Sequence, residues 1–167
     1  MQKNKVAHLL YIPLTGLGLY NGHRGNRWLK SRIKIFKETV FYSLLAQTDQ
    51  DFIIWVSARH EDRQCPILRD FRHWLEMIGF KVVFTFSGVC FWDDKYPDDV
   101  AYTLLIDAVH GSIGELLNTI CEADTILMTI QPSDDLYRKD FVEGIQNVFK
   151  GKPDLQAAGF SHGYICN

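Results

Sequence analysis

Short apolar runs alternate with longer segments of helical periodicity, and this alternation restricts the fold more than any other feature of the sequence. Apolar runs of strand length predict strands at Val6–Leu14, Asp51–Ala58, Lys81–Ser87 and Thr125–Gln131, with a last strand within Leu155–Asn167. The run "DFIIWVSA" is apolar at consecutive positions, as expected for a strand that is covered on both faces. We therefore predict an α/β fold with a mostly parallel sheet and helices on both faces.

Between these strands the apolar residues recur three and four positions apart, which predicts amphipathic helices. The predicted helices are Arg27–Gln47, Cys65–Gly79, Ser112–Asp124 and Asp135–Phe149, with a short helix over Asp98–Ala108. With 167 residues, we expect residues 1–167 to form a single domain. The sequence stops directly after the last predicted strand, so we also expect a fold that is truncated at its C-terminus.

Composition narrows the classes of protein to which the chain can belong. Its net charge of -2 gives no general attraction to nucleic acid, and we predict no nucleic-acid partner. Four widely spaced cysteines indicate reduced thiols and a cytoplasmic protein, with peripheral association at a membrane as a further option. No apolar stretch approaches the length of a transmembrane segment, so none is predicted.

Several well-known motifs are absent or incomplete. Gly16 and Gly18 suggest a dinucleotide-binding loop, but Asn21 stands where the third glycine belongs, so an NAD(P)-binding protein is a distant alternative. The six histidines do not show the spacing of zinc ligands. Neither a P-loop nor a G-x-S-x-G motif occurs, which argues against P-loop phosphotransferases and α/β-hydrolases.

Ligands of open parallel sheets bind beyond the carboxyl ends of the strands, so the residues that follow each strand are the candidates for a site. Arg24 and Arg27 lie after the first strand and could clamp a diphosphate; we expect them to matter before Arg32 does. After the second strand, Glu61 and Asp62 could bind a ribose or a base edge. They could equally be acidic residues that favour the start of the next helix.

The segment "QPSDD" ends the fourth predicted strand and permits two interpretations. Asp134 and Asp135 could hold a divalent cation through carboxylate oxygens, and the cation would neutralise a diphosphate. Alternatively, Ser133 is the N-cap of the predicted helix and the two aspartates are acidic residues of its first turn. The local sequence supports both interpretations about equally.

Two longer stretches resemble a known family. "GELLNTICEADTILMTIQPSDD" is similar to the centre of GT-A glycosyltransferases, with Asn118 at a characteristic helical position and Ser133–Asp135 at the end of the D-x-D-type motif. "SLLAQT" and the following Phe52–Val56 resemble the rhamnosyltransferase-like group of these enzymes. The resemblance covers most of the chain from about Arg27 onward. It implies a Rossmann-like GT-A fold and a glycosyltransferase of polysaccharide biosynthesis.

The implied ligand is a nucleotide-diphosphate sugar, and the implied reaction is rhamnosyl or related transfer to a glycan acceptor. The implied binding residues are Arg24, Arg27, Glu61, Asp62, Asn118, Ser133, Asp134 and Asp135, and the implied cofactor is Mg²⁺ or Mn²⁺ at Asp134 and Asp135. Pro132 replaces the leading aspartate of the family's motif, and the half of the fold that binds the acceptor does not follow. The alternative is therefore a truncated or catalytically degenerate binding or interaction domain of the same fold, and no residue is assigned as the catalytic base.

Overall fold

The structure, a computed structural model, describes residues 5–15, 25–88, 113–152 and 157–158. Four strands form one sheet: β1 (Val6–Pro13), β2 (Ile53–Arg59), β3 (Val82–Gly88) and β4 (Thr125–Ile130). The helices are α1 (Gly25–Glu38), α2 (Val40–Leu45), α3 (Pro66–Ile78), α4, described over residues 113–120, and α5 (Phe141–Phe149). A short 3-10 turn, His60–Asp62, follows β2. None of the described helices has the length and apolarity needed to cross a membrane.

All the strand pairs of this sheet are parallel, and the strand order is β3-β2-β1-β4. β1 is central: Leu9 to Pro13 pair with Ile53 to Ser57 of β2, and Val6 to Tyr11 pair with Thr125 to Ile130 of β4. The predicted parallel sheet is confirmed for the described strands. Its register brings the carboxyl ends of β2, β1 and β4 to one edge, which we call the carboxyl edge.

Apolar residues pack on both faces of the sheet, although Ile126, Met128 and Ile130 of β4 are more than half exposed. On one face the larger core joins Leu10, Ile12 and Ile54 to buried residues of α1, α2, α3 and α5. On the other face, Leu9 and Val83 pack with Leu116 of α4. Period-two alternation along β1 and β2 therefore sends successive side chains into two different cores.

The long helix predicted for Arg27–Gln47 is interrupted. α1 ends at Glu38 and α2 begins at Val40, because Thr39 leaves the helical conformation with φ -129° and ψ -74°. Its hydroxyl donates a hydrogen bond to the carbonyl oxygen of Ile35 at 2.6 Å. A threonine that bonds back to the carbonyl four residues earlier competes with the backbone and bends helices.

The prediction for Cys65–Gly79 is confirmed almost to the residue. Pro66 stands in the first turn of α3, where its missing N–H leaves no intrahelical bond unmade. Gly79 follows the last turn with a left-handed φ of 100°, and its N–H donates to the carbonyl oxygen of Glu76. Proline at the start and glycine at the end are local signals, so they could be identified without tertiary information.

The helix predicted to begin at Asp135 begins instead at Phe141. The residues between β4 and α5, 131–140, form an irregular segment that we call the β4–α5 loop. Ser133 and the two aspartates therefore do not cap a helix, and that interpretation is wrong. Of the other predicted elements, Asp98–Ala108 and Ser112 lie outside the described residues, as does the last strand apart from residues 157–158.

Candidate functional site

Three segments meet at the carboxyl edge because β2, β1 and β4 are neighbours in the sheet. Thr15 follows β1, the turn His60–Asp62 follows β2, and the β4–α5 loop follows β4. α1 brings Arg32 to the same edge, where it contacts Asp134. Convergence of this kind at adjacent strand ends is where open parallel sheets bind ligands.

Asp62 forms a buried corner with Thr15. The Thr15 hydroxyl donates to Asp62 Oδ2 at 3.0 Å and accepts the backbone N–H of Arg59 at 2.9 Å. Asp62 is only 6% exposed. The backbone N–H of Leu14 also donates to the carbonyl oxygen of Ser57, at 3.0 Å. These bonds join the chain after β1 to the chain after β2, so the Asp62 carboxylate stabilises the junction of two strand ends.

Glu61, the neighbouring predicted residue, is in a different environment. Its carboxylate is more than half exposed and lies 3.6 Å from Nε of Arg59. Although the Arg59 side chain is only 15% exposed, the pair contributes little to stability, because the atoms are 3.6 Å apart and water solvates the Glu61 carboxylate. Glu61 therefore presents its carboxylate to solvent beside the buried corner of Asp62.

Gln131 shapes the first half of the β4–α5 loop. Its backbone N–H donates to the carbonyl oxygen of Tyr11 at 2.8 Å and so continues the pairing of β4 with β1. Its fully buried side-chain amide donates to the carbonyl oxygens of Pro132 and Asp135, at 2.9 and 2.8 Å. One side chain thus satisfies peptide groups that a helix would have satisfied, which explains why α5 starts late.

Gln47, from the "SLLAQT" stretch, holds the other half of the loop. Its amide nitrogen donates to the carbonyl oxygens of Ser43 and Arg138, both at 2.9 Å. Its amide oxygen accepts the backbone N–H of Val142 at 3.0 Å, in the first turn of α5. Asp140, the residue before α5, makes no side-chain cap, so Gln47 caps this helix from a distant part of the chain.

Tyr137 provides a third anchor for the loop. Its hydroxyl donates to the carbonyl oxygen of Ile130, and its ring stacks on Phe141 with the centroids 3.7 Å apart. Burial raises the pKa of Tyr137 to about 12, and the negative charge of Asp135 adds to the shift. The hydroxyl therefore stays protonated near neutral pH and remains a hydrogen-bond donor.

The two aspartates lie on this anchored loop with their carboxylates toward solvent. Asp134 Oδ2 is 2.7 Å from Nη1 of Arg32, and its side chain is 48% exposed. The Arg32 side chain is 17% exposed, and its guanidinium carbon lies 5.6 Å from the ring centroid of Trp28. Asp135 is exposed. The loop therefore places one carboxylate beside a held guanidinium and leaves the next one in solvent.

The other predicted site residues are more dispersed. Arg27 lies exposed in α1, while Arg24 falls outside the described residues. Ser133 is buried in the loop. Asn118 is exposed on α4, which leads into the amino end of β4, so the structure does not bring Asn118 to the carboxyl edge. Its role as a binding residue stays a prediction.

Sequence reasoning missed two residues that build the site and ranked a third too low. Thr15 and Gln131 act through hydrogen bonds to distant residues, for which the sequence carries no local signal. Arg32 was ranked after Arg24 and Arg27. Trp28, four residues before it on the same helix face, is the signal that could have raised its rank.

The donor set fits a divalent metal ion poorly. Within the described ranges, no group of three or more histidine, cysteine, aspartate or glutamate side chains could hold a metal ion. Pro132 offers only its carbonyl oxygen, which already accepts the amide of Gln131, and Asp134 is paired with Arg32. Mg²⁺ or Mn²⁺ at Asp134 and Asp135 stays a prediction.

Comparison with known proteins gives no family: no family model, no curated protein and no solved structure matches the chain.

Proposed function

We propose that the chain is a glycosyltransferase-like domain whose carboxyl edge binds a nucleotide-diphosphate sugar for rhamnosyl or related transfer to a glycan acceptor. One observation carries the proposal: the Asp62–Thr15 corner and the Arg32–Asp134 pair lie at the ends of three adjacent parallel strands. The resemblance of "SLLAQT" and "QPSDD" to rhamnosyltransferase-like enzymes supports it from the sequence.

The chemistry of the edge suits the three parts of such a ligand. The exposed carboxylate of Glu61 can accept hydrogen bonds from ribose hydroxyls or a base N–H. Arginines such as Arg27 and Arg32 recognise phosphate oxygens through planar N–H groups. The exposed carboxylate of Asp135 can accept hydrogen bonds from sugar hydroxyls. The carboxyl edge thus presents both basic and acidic groups to a ligand.

A specific observation favours a second candidate, a binding domain that lacks catalysis. Pro132 stands where the resembled motif has an aspartate, and Asp134 is paired with Arg32. Both features reduce the number of carboxylates available for metal-assisted transfer. This candidate binds the same nucleotide-diphosphate sugar but does not transfer the sugar.

Thermal shift measurements with UDP- and dTDP-sugars, each in Mn²⁺ and in EDTA, test the proposal. We expect a rise in melting temperature that Asp135→Asn reduces. The matched control is Asp70→Asn, an exposed aspartate on α3, which should leave the shift unchanged. No shift with any nucleotide sugar contradicts the proposal, and a shift with NAD(P) alone indicates a dinucleotide-binding protein.

Donor hydrolysis separates the two candidates. A transferase releases nucleoside diphosphate from its bound donor slowly, even when water replaces the acceptor. A binding domain leaves the bound donor intact. Chromatography of the nucleotide after prolonged incubation distinguishes these results, with Asp135→Asn as the comparison.

A further inference from the structure

We propose that Arg32 takes the place of a divalent metal ion at the carboxyl edge, so that the edge binds a diphosphate group without a metal. The identity of the natural ligand rests on the proposed function. The role of the Arg32 guanidinium can be tested separately with UDP and with inorganic pyrophosphate. Its starting point is the Arg32–Asp134 contact.

Contact geometry indicates a strong interaction. Nη1 of Arg32 and Oδ2 of Asp134 are 2.7 Å apart, which is the distance of a charge-assisted hydrogen bond. The two residues are 102 positions apart in the sequence, so tertiary structure brings them together. The guanidinium does not lose its proton in proteins, so this positive charge persists at every accessible pH.

The surroundings hold the guanidinium in place. Only 17% of the Arg32 side chain is exposed, and Trp28 lies beneath the guanidinium at 5.6 Å. A ring face attracts a cation and limits its side-chain motion. The Asp134 side of the contact is anchored through Gln131 and the rest of the β4–α5 loop. The cation is therefore positioned before any ligand binds, which lowers the entropic cost of binding.

The same arrangement opposes a divalent ion. A metal on Asp134 would lie close to a guanidinium, and like charges at this separation repel strongly in a partly desolvated site. The first position of the loop, Pro132, supplies no side-chain ligand, and its carbonyl oxygen accepts the amide of Gln131. Metal binding at Asp134 would require the 2.7 Å contact between Arg32 and Asp134 to break.

A diphosphate, by contrast, can replace the Asp134 carboxylate as an acceptor. Phosphate and carboxylate oxygens both match the planar donors of a guanidinium. Asp134 is about half exposed, so water can solvate its carboxylate once the contact is released. Asp134 then acts as a positioning residue that holds Arg32 in the unliganded protein, and Arg32 makes the contact with the ligand.

Two substitutions distinguish binding of the diphosphate by Arg32 from binding by a metal ion on Asp134, because the two hypotheses predict opposite changes in UDP affinity. We expect UDP to bind the wild-type chain equally in EDTA and in Mn²⁺. Arg32→Met should weaken UDP binding on the order of tenfold or more, because it removes a charged hydrogen-bond donor. Asp134→Asn should bind UDP more tightly than the wild type, because it removes the carboxylate that competes with the diphosphate for Arg32. If Asp134 and a metal held the diphosphate, Asp134→Asn would lose binding and Arg32→Met would not.

Lys34→Met is the matched control. It removes one positive charge from the same helix, at a side chain that is 72% exposed and paired with Glu38. UDP binding by Lys34→Met should equal that of the wild type. Arg32→Lys, which keeps the charge without the planar donors, gives a second test if Arg32→Met folds poorly, and it should bind UDP with intermediate affinity.

Isothermal titration with UDP and with inorganic pyrophosphate distinguishes failure of this inference from failure of the proposed function. Binding of pyrophosphate in EDTA that depends on Arg32, without any binding of UDP, supports the inference and contradicts the proposed function. UDP binding only in Mn²⁺, or unchanged binding by Arg32→Met, overturns the inference while the proposed function stands. No binding of either anion in EDTA also overturns it.

Discussion

Asp62 and Asp134 follow β2 and β4, the two strands on either side of β1, but the two carboxylates lie in opposite environments. Asp62 is 6% exposed and accepts a hydrogen bond from Thr15 within the protein. Asp134 has a side chain that is 48% exposed, and it pairs with an arginine. Burial thus assigns the first carboxylate to the junction of two strand ends and leaves the second in contact with both Arg32 and solvent.

The positions of the exposed aspartates depend on neutral amides. Gln131 holds the loop from within, and Gln47 holds it from α2 and caps α5. The Gln47 amide both donates and accepts, and the Gln131 amide donates two hydrogen bonds, without the desolvation cost of a charge. The stability of the loop and its capacity to bind a ligand should therefore be separable by mutation.

The largest expected effect is at Gln47. Gln47→Ala removes three hydrogen bonds and leaves the carbonyl of Arg138 and the N–H of Val142 without a partner, so we expect a loss of about 3 kcal/mol in the free energy of unfolding. Thr48→Val, which removes an exposed hydrogen bond to Glu143, is the control and should cost less than about 1 kcal/mol. Urea unfolding measures both. Equal effects would show that the loop does not depend on Gln47.

The second largest effect is expected at His8, a buried residue of β1 that contacts β4. Nε2 of His8 lies 2.9 Å from the Thr129 hydroxyl, and burial lowers its pKa to about 4, with the negative charge of Asp49 opposing the shift. The unfolded chain takes up this proton near pH 6.5 and the folded chain only near pH 4, so stability is lost as the pH falls between these values.

We expect the free energy of unfolding to fall by about 2–3 kcal/mol more in the wild type than in His8→Gln between pH 7.5 and 4.5. His73→Gln, at an exposed histidine on α3, should keep the wild-type pH dependence. Urea titrations at the two pH values provide the measurement. Parallel curves for wild type and His8→Gln would contradict the assignment of the pH dependence to His8.

The next largest loss of stability is expected when Asp62 is replaced. Asp62→Ala removes the acceptor of the partly buried Thr15 hydroxyl, and we expect a cost of about 2 kcal/mol in the free energy of unfolding. The control, Glu61→Ala, changes an exposed neighbour in the same turn and should stay within about 0.5 kcal/mol of the wild type. If the two variants unfold alike, the contrast between buried and exposed carboxylates is wrong.

The smallest effects on stability are expected at the exposed aspartates. Asp135→Asn should change the free energy of unfolding by no more than about 0.5 kcal/mol, since its side chain is exposed. Asp134→Asn should cost about 1 kcal/mol, since it weakens the contact with the partly buried Arg32. Calorimetric melting without ligand measures this. A loss comparable to that of Asp62→Ala would mean that these carboxylates serve the fold as well.

The sequence predicted those parts of the fold that are encoded by neighbouring residues. Apolar runs gave the four described strands, and Pro66 with Gly79 marked the ends of α3. Local signals failed at "SDD", which reads as a helix start but lies in a loop. Gln131 and Gln47 bind the peptide groups of this loop, and Gln47 comes from 91 residues away.

For the candidate site, too, the sequence predicted some features and not others. Its location at the strand ends, including Asp62, Asp134 and Asp135, followed from the sequence, because the order of strands and loops is local information. The preference for Arg24 and Arg27 over Arg32 was based on distance from the strand end. The partner of Arg32 is 102 residues away, and no spacing within α1 could reveal it.

The sequence by itself therefore determined the α/β class, the parallel sheet and the strand ends at which acidic and basic residues collect. Hydrophobic periodicity and turn residues act over a few positions, and each can be read from its neighbours. Only the tertiary structure decided that Asp62 is buried against Thr15, that Gln47 caps α5, and that Arg32 meets Asp134. Burial and hydrogen-bond partners depend on which distant segments meet, so the role of each carboxylate emerges only after the chain has folded.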